Sequence, residues 1–200
     1  GLWHTIHIAF GARGQGRALA HFEPNSFAIN LTRYRRGDKA GGEKEDRFLH
    51  TGGVGSFAHE YGHALDYFFG QFVEKARGIS LTEGHSVNTN FSTEQITGTT
   101  LHAQMNRIIM RCIWKKGSNV HNGEWTQYYK ALHASFKHNE YWFRHNEIWA
   151  RLFEQWVQYK LSKKHIQNVY LAKRKYEDSR YLPASEFKRV APLIDKLIAD

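Results

Sequence analysis

The stretch Ser56-Phe57-Ala58-His59-Glu60-Tyr61-Gly62-His63-Ala64-Leu65-Asp66-Tyr67-Phe68 sets an HExxH string, His59 to His63, inside a helical hydrophobic pattern. Ser56 is a suitable N-cap and Gly70 a suitable stop, so a helix is predicted between them. At about 100° per residue, His59 and His63 stand about 40° apart and one turn from each other, so both imidazoles reach one tetrahedral cation. Phe57, Tyr61, Ala64, Leu65 and Phe68 fall roughly 140° to 240° from His59, on the opposite side. One face packs and the other carries donors. Glu60 lies beside the histidines, placed to take a proton from a metal-activated water. With 13 His and 13 Glu in 200 residues, chance alone yields the string with a probability on the order of 0.05, so the arrangement around it carries the weight. Asp66 shares the histidine stripe and is expected to accept a hydrogen bond from a ligand imidazole and fix its tautomer.

Two histidines and a water leave one protein ligand to be found. Residues 70–73 offer no third His, and His85 is too distant in sequence for that pattern. A helix predicted over residues 146–161 gathers Glu147, Arg151, Glu154 and Gln158 within roughly 60° of one another, opposite Ile148, Trp149, Leu152, Phe153, Trp156 and Tyr159. Glu147 is the expected third ligand, with Glu154 as the alternative. Arg151 is expected to pair with Glu154 or Asp66, or to hold a substrate carbonyl or carboxylate. Tyr141, shortly before Glu147, can donate its phenol to the oxyanion of a tetrahedral intermediate or simply pack in the core.

Outside these two stretches the chain reads as one globular domain: 41% hydrophobic, 24% charged, and without an apolar run long enough to span a membrane. Its sole cysteine, Cys112, fits a reducing, cytoplasmic setting. The 28 Lys and Arg against 19 Asp and Glu, net +9, favour loose association with nucleic acid, and Lys160, Lys163, Lys164, Lys173, Arg174 and Lys175 lie close together in sequence. Residues 6–10 and 27–31 read as β segments. The glycine-rich residues 11–16 between them read as a turn, because no Lys-Ser/Thr follows as a phosphate loop requires. Residues 33–46 are expected to form an exposed loop and residues 78–98 to be irregular. Further helices are predicted over 100–114, 124–137 and 186–198. The fold class is therefore α+β: a small N-terminal β-sheet packed on the HExxH helix, then a mainly helical C-terminal part.

The motif residues resemble a zincin of the gluzincin type, in which a Glu from a second helix completes a site begun by HExxH. More closely, His59-Glu60-Tyr61-Gly62-His63-Ala64-Leu65-Asp66 followed by Glu147-Ile148-Trp149-Ala150-Arg151-Leu152-Phe153-Glu154 resembles the zincin-like large polyvalent-protein-associated domain of phages and conjugative elements. Phe10-Gly11-Ala12-Arg13-Gly14, Ala18-Leu19-Ala20-His21-Phe22-Glu23-Pro24, Ile29-Asn30-Leu31-Thr32 and Asn168-Val169-Tyr170-Leu171 extend the likeness over most of the chain. A more distant similarity is to the catalytic domain of anthrax lethal factor. It implies Glu147 rather than Glu154 as ligand and Tyr141 beside the metal, with Arg151 standing where that protein carries an acid.

The resemblance implies that residues 1–200 form a single zincin-like metallopeptidase domain, excised from a longer polyvalent protein. One Zn2+ per chain would be held by His59, His63 and Glu147, with Glu60 as general base, Tyr141 at the oxyanion, and Asp66, Arg151 and Glu154 behind the ligands. The substrate would be a protein or peptide, either a host protein or the parent precursor, and the setting the cytoplasm of a bacterial cell or of the host of a phage or plasmid. Residues 27–31 are the expected sheet edge to which an extended peptide adds. The opening Gly1-Leu2-Trp3-His4 shows no charged region and apolar run, so no secretory signal is expected. The competing expectation is a basic nucleic-acid-binding or interaction module with a structural or vestigial metal site.

Overall fold

The computed structural model describes residues 6–11, 15–16, 18, 20–31, 34–35, 55–73, 80–83, 91–118, 121–173 and 175–199. Its N-terminal part contributes strands β1 (His7–Phe10), β2 (Gln15–Gly16), β3 (Ala20–Glu23), β4 (Ala28–Leu31) and β5 (Tyr34–Arg35). Three of them form a sheet in the order β1-β4-β3, with β1 parallel and β3 antiparallel to β4. A separate parallel ribbon pairs β2 with β5. The turn between β3 and β4 puts Phe27 at φ 48°, so β4 starts one residue later than the sequence suggests.

This topology corrects the expected sheet edge. Residues 28–31 are the central strand, paired on both sides, and cannot accept a further strand. The edges are β1 and β3; β3, the one packed on the HExxH helix, has four residues, too short an alternation to announce itself. The expected exposed loop over residues 33–46 begins with β5; residues 36–46 lie outside the described residues, as do residues 12–14 of the glycine-rich turn, His85 and Arg174.

Among the described residues six α-helices follow: α1 (Phe57–Phe68), α2 (Thr93–Thr97), α3 (Leu101–Ile113), α4 (Gln127–Phe136), α5 (His145–Lys163) and α6 (Ala184–Ala199). The long ones fall where the 3.6-residue period places them. The short α2 lies within the stretch expected to be irregular. Thr100 and Thr126 cap α3 and α4, their hydroxyls accepting from the backbone N–H of Ala103 and Tyr129. Ser56 occupies the N-cap position of α1 but makes no capping bond; the Ala58 N–H is instead taken by the Leu171 carbonyl at 2.9 Å. Gly70 does not stop the helix either. The chain continues through a π-helical turn, Phe69–Val73, and a Cβ on Gly70 would lie 2.5 Å from the Ser80 backbone. Glycine is present there because another strand of chain presses against it.

Two clusters divide the apolar face of α1. Phe57 and Tyr61 pack against Ala20, Ile29 and Leu31 of the sheet. Leu65 joins the main core, where Met105, Ile109, Leu132, Trp149 and Ile194 bring α3, α4, α5 and α6 together. Between α1 and α5 the contact is close: a Cβ on Gly62 would stand 3.1 Å from the Ala150 Cα. Trp149 Nε1 donates to the Gly62 carbonyl at 2.8 Å across the same crossing. The sheet thus rests on one side of the HExxH helix while α5 lies against it on another. Among the described residues no helix is long and apolar enough to cross a membrane.

Candidate metal centre

α1 presents His59 and His63 one turn apart, their ring centroids 5.0 Å from each other. The first turn of α5 brings Glu147 to them. Glu147 Oε1 lies 3.4 Å from His63 Nε2 and Oε2 lies 3.6 Å from His59 Nε2. One ligand atom from each of the three residues falls within 4.8 Å of the others. Ligands about 2.0–2.2 Å from a tetrahedral zinc stand roughly 3.3–3.6 Å apart, so the two measured separations suit a shared cation. Glu147 Oε2 is buried and accepts no hydrogen bond among the described residues. A buried carboxylate oxygen left in that state is costly, and a cation satisfies it. The donor set fits zinc.

The electrostatics separate the two imidazoles: burial lowers His63, but Glu147, Glu60 and Asp66 outweigh it and raise it. Burial pushes the His59 imidazole down to about 4, which keeps it neutral, the form a metal requires. Burial alone would raise Glu147, but the imidazoles of His59 and His63 beside it outweigh burial and hold the carboxyl well below the usual range. Burial raises Glu60 to about 7, against the pull of His63 and of a hydrogen bond from the Phe22 backbone. An acid tuned there both accepts and returns a proton near neutrality.

Glu154 takes a different place from Glu147. Its Oε2 is 3.8 Å from His59 Nδ1, behind the imidazole rather than in front of it. Tyr176 donates to its Oε1 and Tyr181 to its Oε2, both at 3.1 Å, and Lys173 Nζ donates to the Tyr181 hydroxyl at 2.9 Å. The 3.8 Å separation of Glu154 from His59 is an ion-pair contact rather than a hydrogen bond. Asp66 is fully buried and engaged with Thr82, whose N–H and hydroxyl donate to it at 2.9 and 2.6 Å. It acts on His63 through charge, while Thr82 ties the end of α1 to residues 80–83.

Arg151 is buried and does not open to solvent as a substrate-holding residue would. Its Nη2 donates to the Trp142 carbonyl at 2.6 Å, its guanidinium stands over the Trp142 ring, and its ion pair is with Glu147 at 3.8 Å rather than with Asp66. Tyr141 lies in a 3-10 turn, Glu140–Phe143, partly exposed, and its hydroxyl interacts with Glu147. Sequence reasoning missed Tyr176, Tyr181 and Thr82. All three sit in non-periodic stretches that carry no signal. Of the expected lysine cluster, Lys160 pairs with Asp195, Lys175 with Glu177, and Lys173 turns inward to the Tyr181 hydroxyl.

A cleft of about 360 Å3 opens over the triad, with Phe22 and Pro24 at the β3 side, Tyr67 of α1, and Tyr141. A second cavity of about 240 Å3 adjoins it and shares His59, Glu60, Tyr141 and Glu147 in its wall. The arrangement can bind a divalent cation, hold a base beside it and admit a chain along β3.

No curated protein and no solved structure matches the chain. Residues 133–200, about the last third, which carry Glu147 and the whole of α5 and α6, match the family model of large polyvalent protein-associated domain 1.

Proposed function

We propose that the chain is a zinc-dependent peptidase of the gluzincin type with a zincin-like arrangement. The observation that supports this most is the convergence of His59, His63 and Glu147 from two helices, beside Glu60, in an open cleft. A divalent cation bound there supplies a Lewis acid that acidifies a water and polarises a carbonyl. Glu60 takes the proton and passes it to the leaving amine. Tyr141, on the opposite wall, donates its hydroxyl to the developing oxyanion. Glu154, held by two phenols, keeps the His59 ring in register. β3 lies at an edge of the sheet, and its Phe22 N–H reaches Glu60; an extended peptide laid along β3 runs past the triad. The match to a polyvalent-protein-associated domain suits a peptidase that acts on host proteins or on its own parent chain.

Metal analysis and a peptide-library digest test the reading together. About one zinc per chain is expected. Glu60→Gln keeps the zinc and loses cleavage by about 10²-fold or more, whereas Glu147→Ala loses the zinc itself. Full zinc content in Glu147→Ala overturns the ligand assignment, and undiminished cleavage by Glu60→Gln overturns the mechanism.

A further inference from the structure

The two cavities that meet at the triad differ in chemistry. The larger ends in Phe22, Pro24 and Tyr67. The smaller runs past Trp142 to Arg151, Lys173, Arg180 and Tyr181. We propose that the smaller cavity is a carboxylate-binding subsite, which selects substrates carrying an acidic group to one side of the bond to be cut. The inference rests on the peptidase reading in taking the carrier of that carboxylate to be a peptide.

The acids in this wall are already engaged. Glu147 faces the two histidines, Glu154 accepts from Tyr176 and Tyr181, and Glu60 accepts from the Phe22 N–H. Its cations keep donors in reserve. Lys173 donates to the Tyr181 hydroxyl, one of three donors an ammonium carries. Arg180 uses Nε and Nη2 on Asp178, at 2.9 and 2.6 Å, and lies over the Trp142 ring at 5.7 Å. Arg151, 2% exposed, lies deeper with its Nη1 3.8 Å from Glu147 Oε2, so it adds charge to the wall rather than a free donor. With the dication that the triad would hold, these three side chains outweigh Glu60, Glu147 and Glu154 together with Asp178 behind Arg180. The surplus is positive, and the anion a peptide offers is a carboxylate, either from an Asp or Glu side chain or from its own C-terminus. The flat face of Trp142 suits the methylenes that carry it.

The test is calorimetric binding to the zinc-loaded Glu60→Gln chain of residues 1–200, so that peptides are not consumed. Blocked heptapeptides with Glu at each position in turn are compared with their all-Gln parent, and the parent with a free C-terminal carboxylate is compared with its amide. A carboxylate at one position is expected to tighten binding about tenfold, with the gain reduced by salt and lost in Arg180→Gln and in Lys173→Gln. A gain confined to the free C-terminus supports the subsite and identifies its source as a chain end. Equal binding of all Glu and Gln peptides, or a gain that survives both substitutions, overturns the proposal. Carboxylate-selective binding by a protein that cleaves nothing would sink the peptidase reading and leave the subsite standing; cleavage indifferent to acidic residues would do the reverse.

Discussion

At the scale of single residues the centre depends on two carboxylates of one helix doing different work. Glu147 and Glu154 are two turns apart on α5 and project from the same side of it, so angular arithmetic alone cannot rank them. Only the placement of His59 does: its Nε2 faces Glu147 and its Nδ1 faces Glu154. On the proposed assignment, replacing the first removes a ligand and replacing the second loosens one. Glu154→Gln is therefore expected to weaken zinc binding by about 10- to 100-fold without abolishing it, and Tyr181→Phe, which takes away one of the two phenols on Glu154, to act in the same direction but less. Competition with a chromophoric chelator measures both. An affinity unchanged in Glu154→Gln would mean that the carboxylate behind His59 has no hold on the ring.

Among the elements, the crossing of α1 and α5 sets the distance between the HExxH pair and Glu147. Gly62 permits the approach, and the bond from Trp149 to its carbonyl locks it. A methyl group at Gly62 must push Ala150 or Phe153 away by a few tenths of an ångström; set against the roughly 1 kcal/mol that Ala gains over Gly in a helix, Gly62→Ala is expected to cost up to about 2 kcal/mol. It should also weaken zinc binding, because α5 moves with its ligand. Urea unfolding of the metal-free protein and chelator competition separate the two effects; an unchanged zinc affinity would show that the crossing does not govern the triad. The helices were legible because α1, α3, α5 and α6 bury one apolar face each, and that burial writes a 3.6-residue period into the chain. HExxH was legible for the same reason, as a local pattern on a single helix. β3 and the Tyr176–Tyr181 stretch were not: a four-residue strand and an irregular segment gain their places from tertiary contacts, such as Phe22 to Tyr67 and Tyr176 to Glu154, which leave no periodic trace.

Over the whole molecule, the core that brings these helices together is rich in phenols, and this gives stability a pH dependence independent of the metal. Tyr128 is 1% exposed, and burial pushes its hydroxyl from 10.0 up to about 12. Tyr129, Tyr176 and Tyr181 are raised by burial as well. A group whose folded pKa lies above its unfolded value favours the folded state fully below the unfolded pKa, and that contribution disappears as pH climbs through the folded one. The unfolded chain releases these protons first. Stability should thus show no phenol-linked decline up to about pH 9.5 and fall above 10, by about 1.4 kcal/mol per pH unit for each phenol that stays protonated only in the fold. Urea melts of the metal-free protein at pH 8, 9.5, 10.5 and 11.5 measure the slope, and Tyr128→Phe should make it shallower between 10 and 12. A slope above pH 10 that is the same in Tyr128→Phe would place the alkaline weakness outside this core, in ion pairs such as Lys115–Glu124 and Lys160–Asp195 that lose their ammonium charge over the same range.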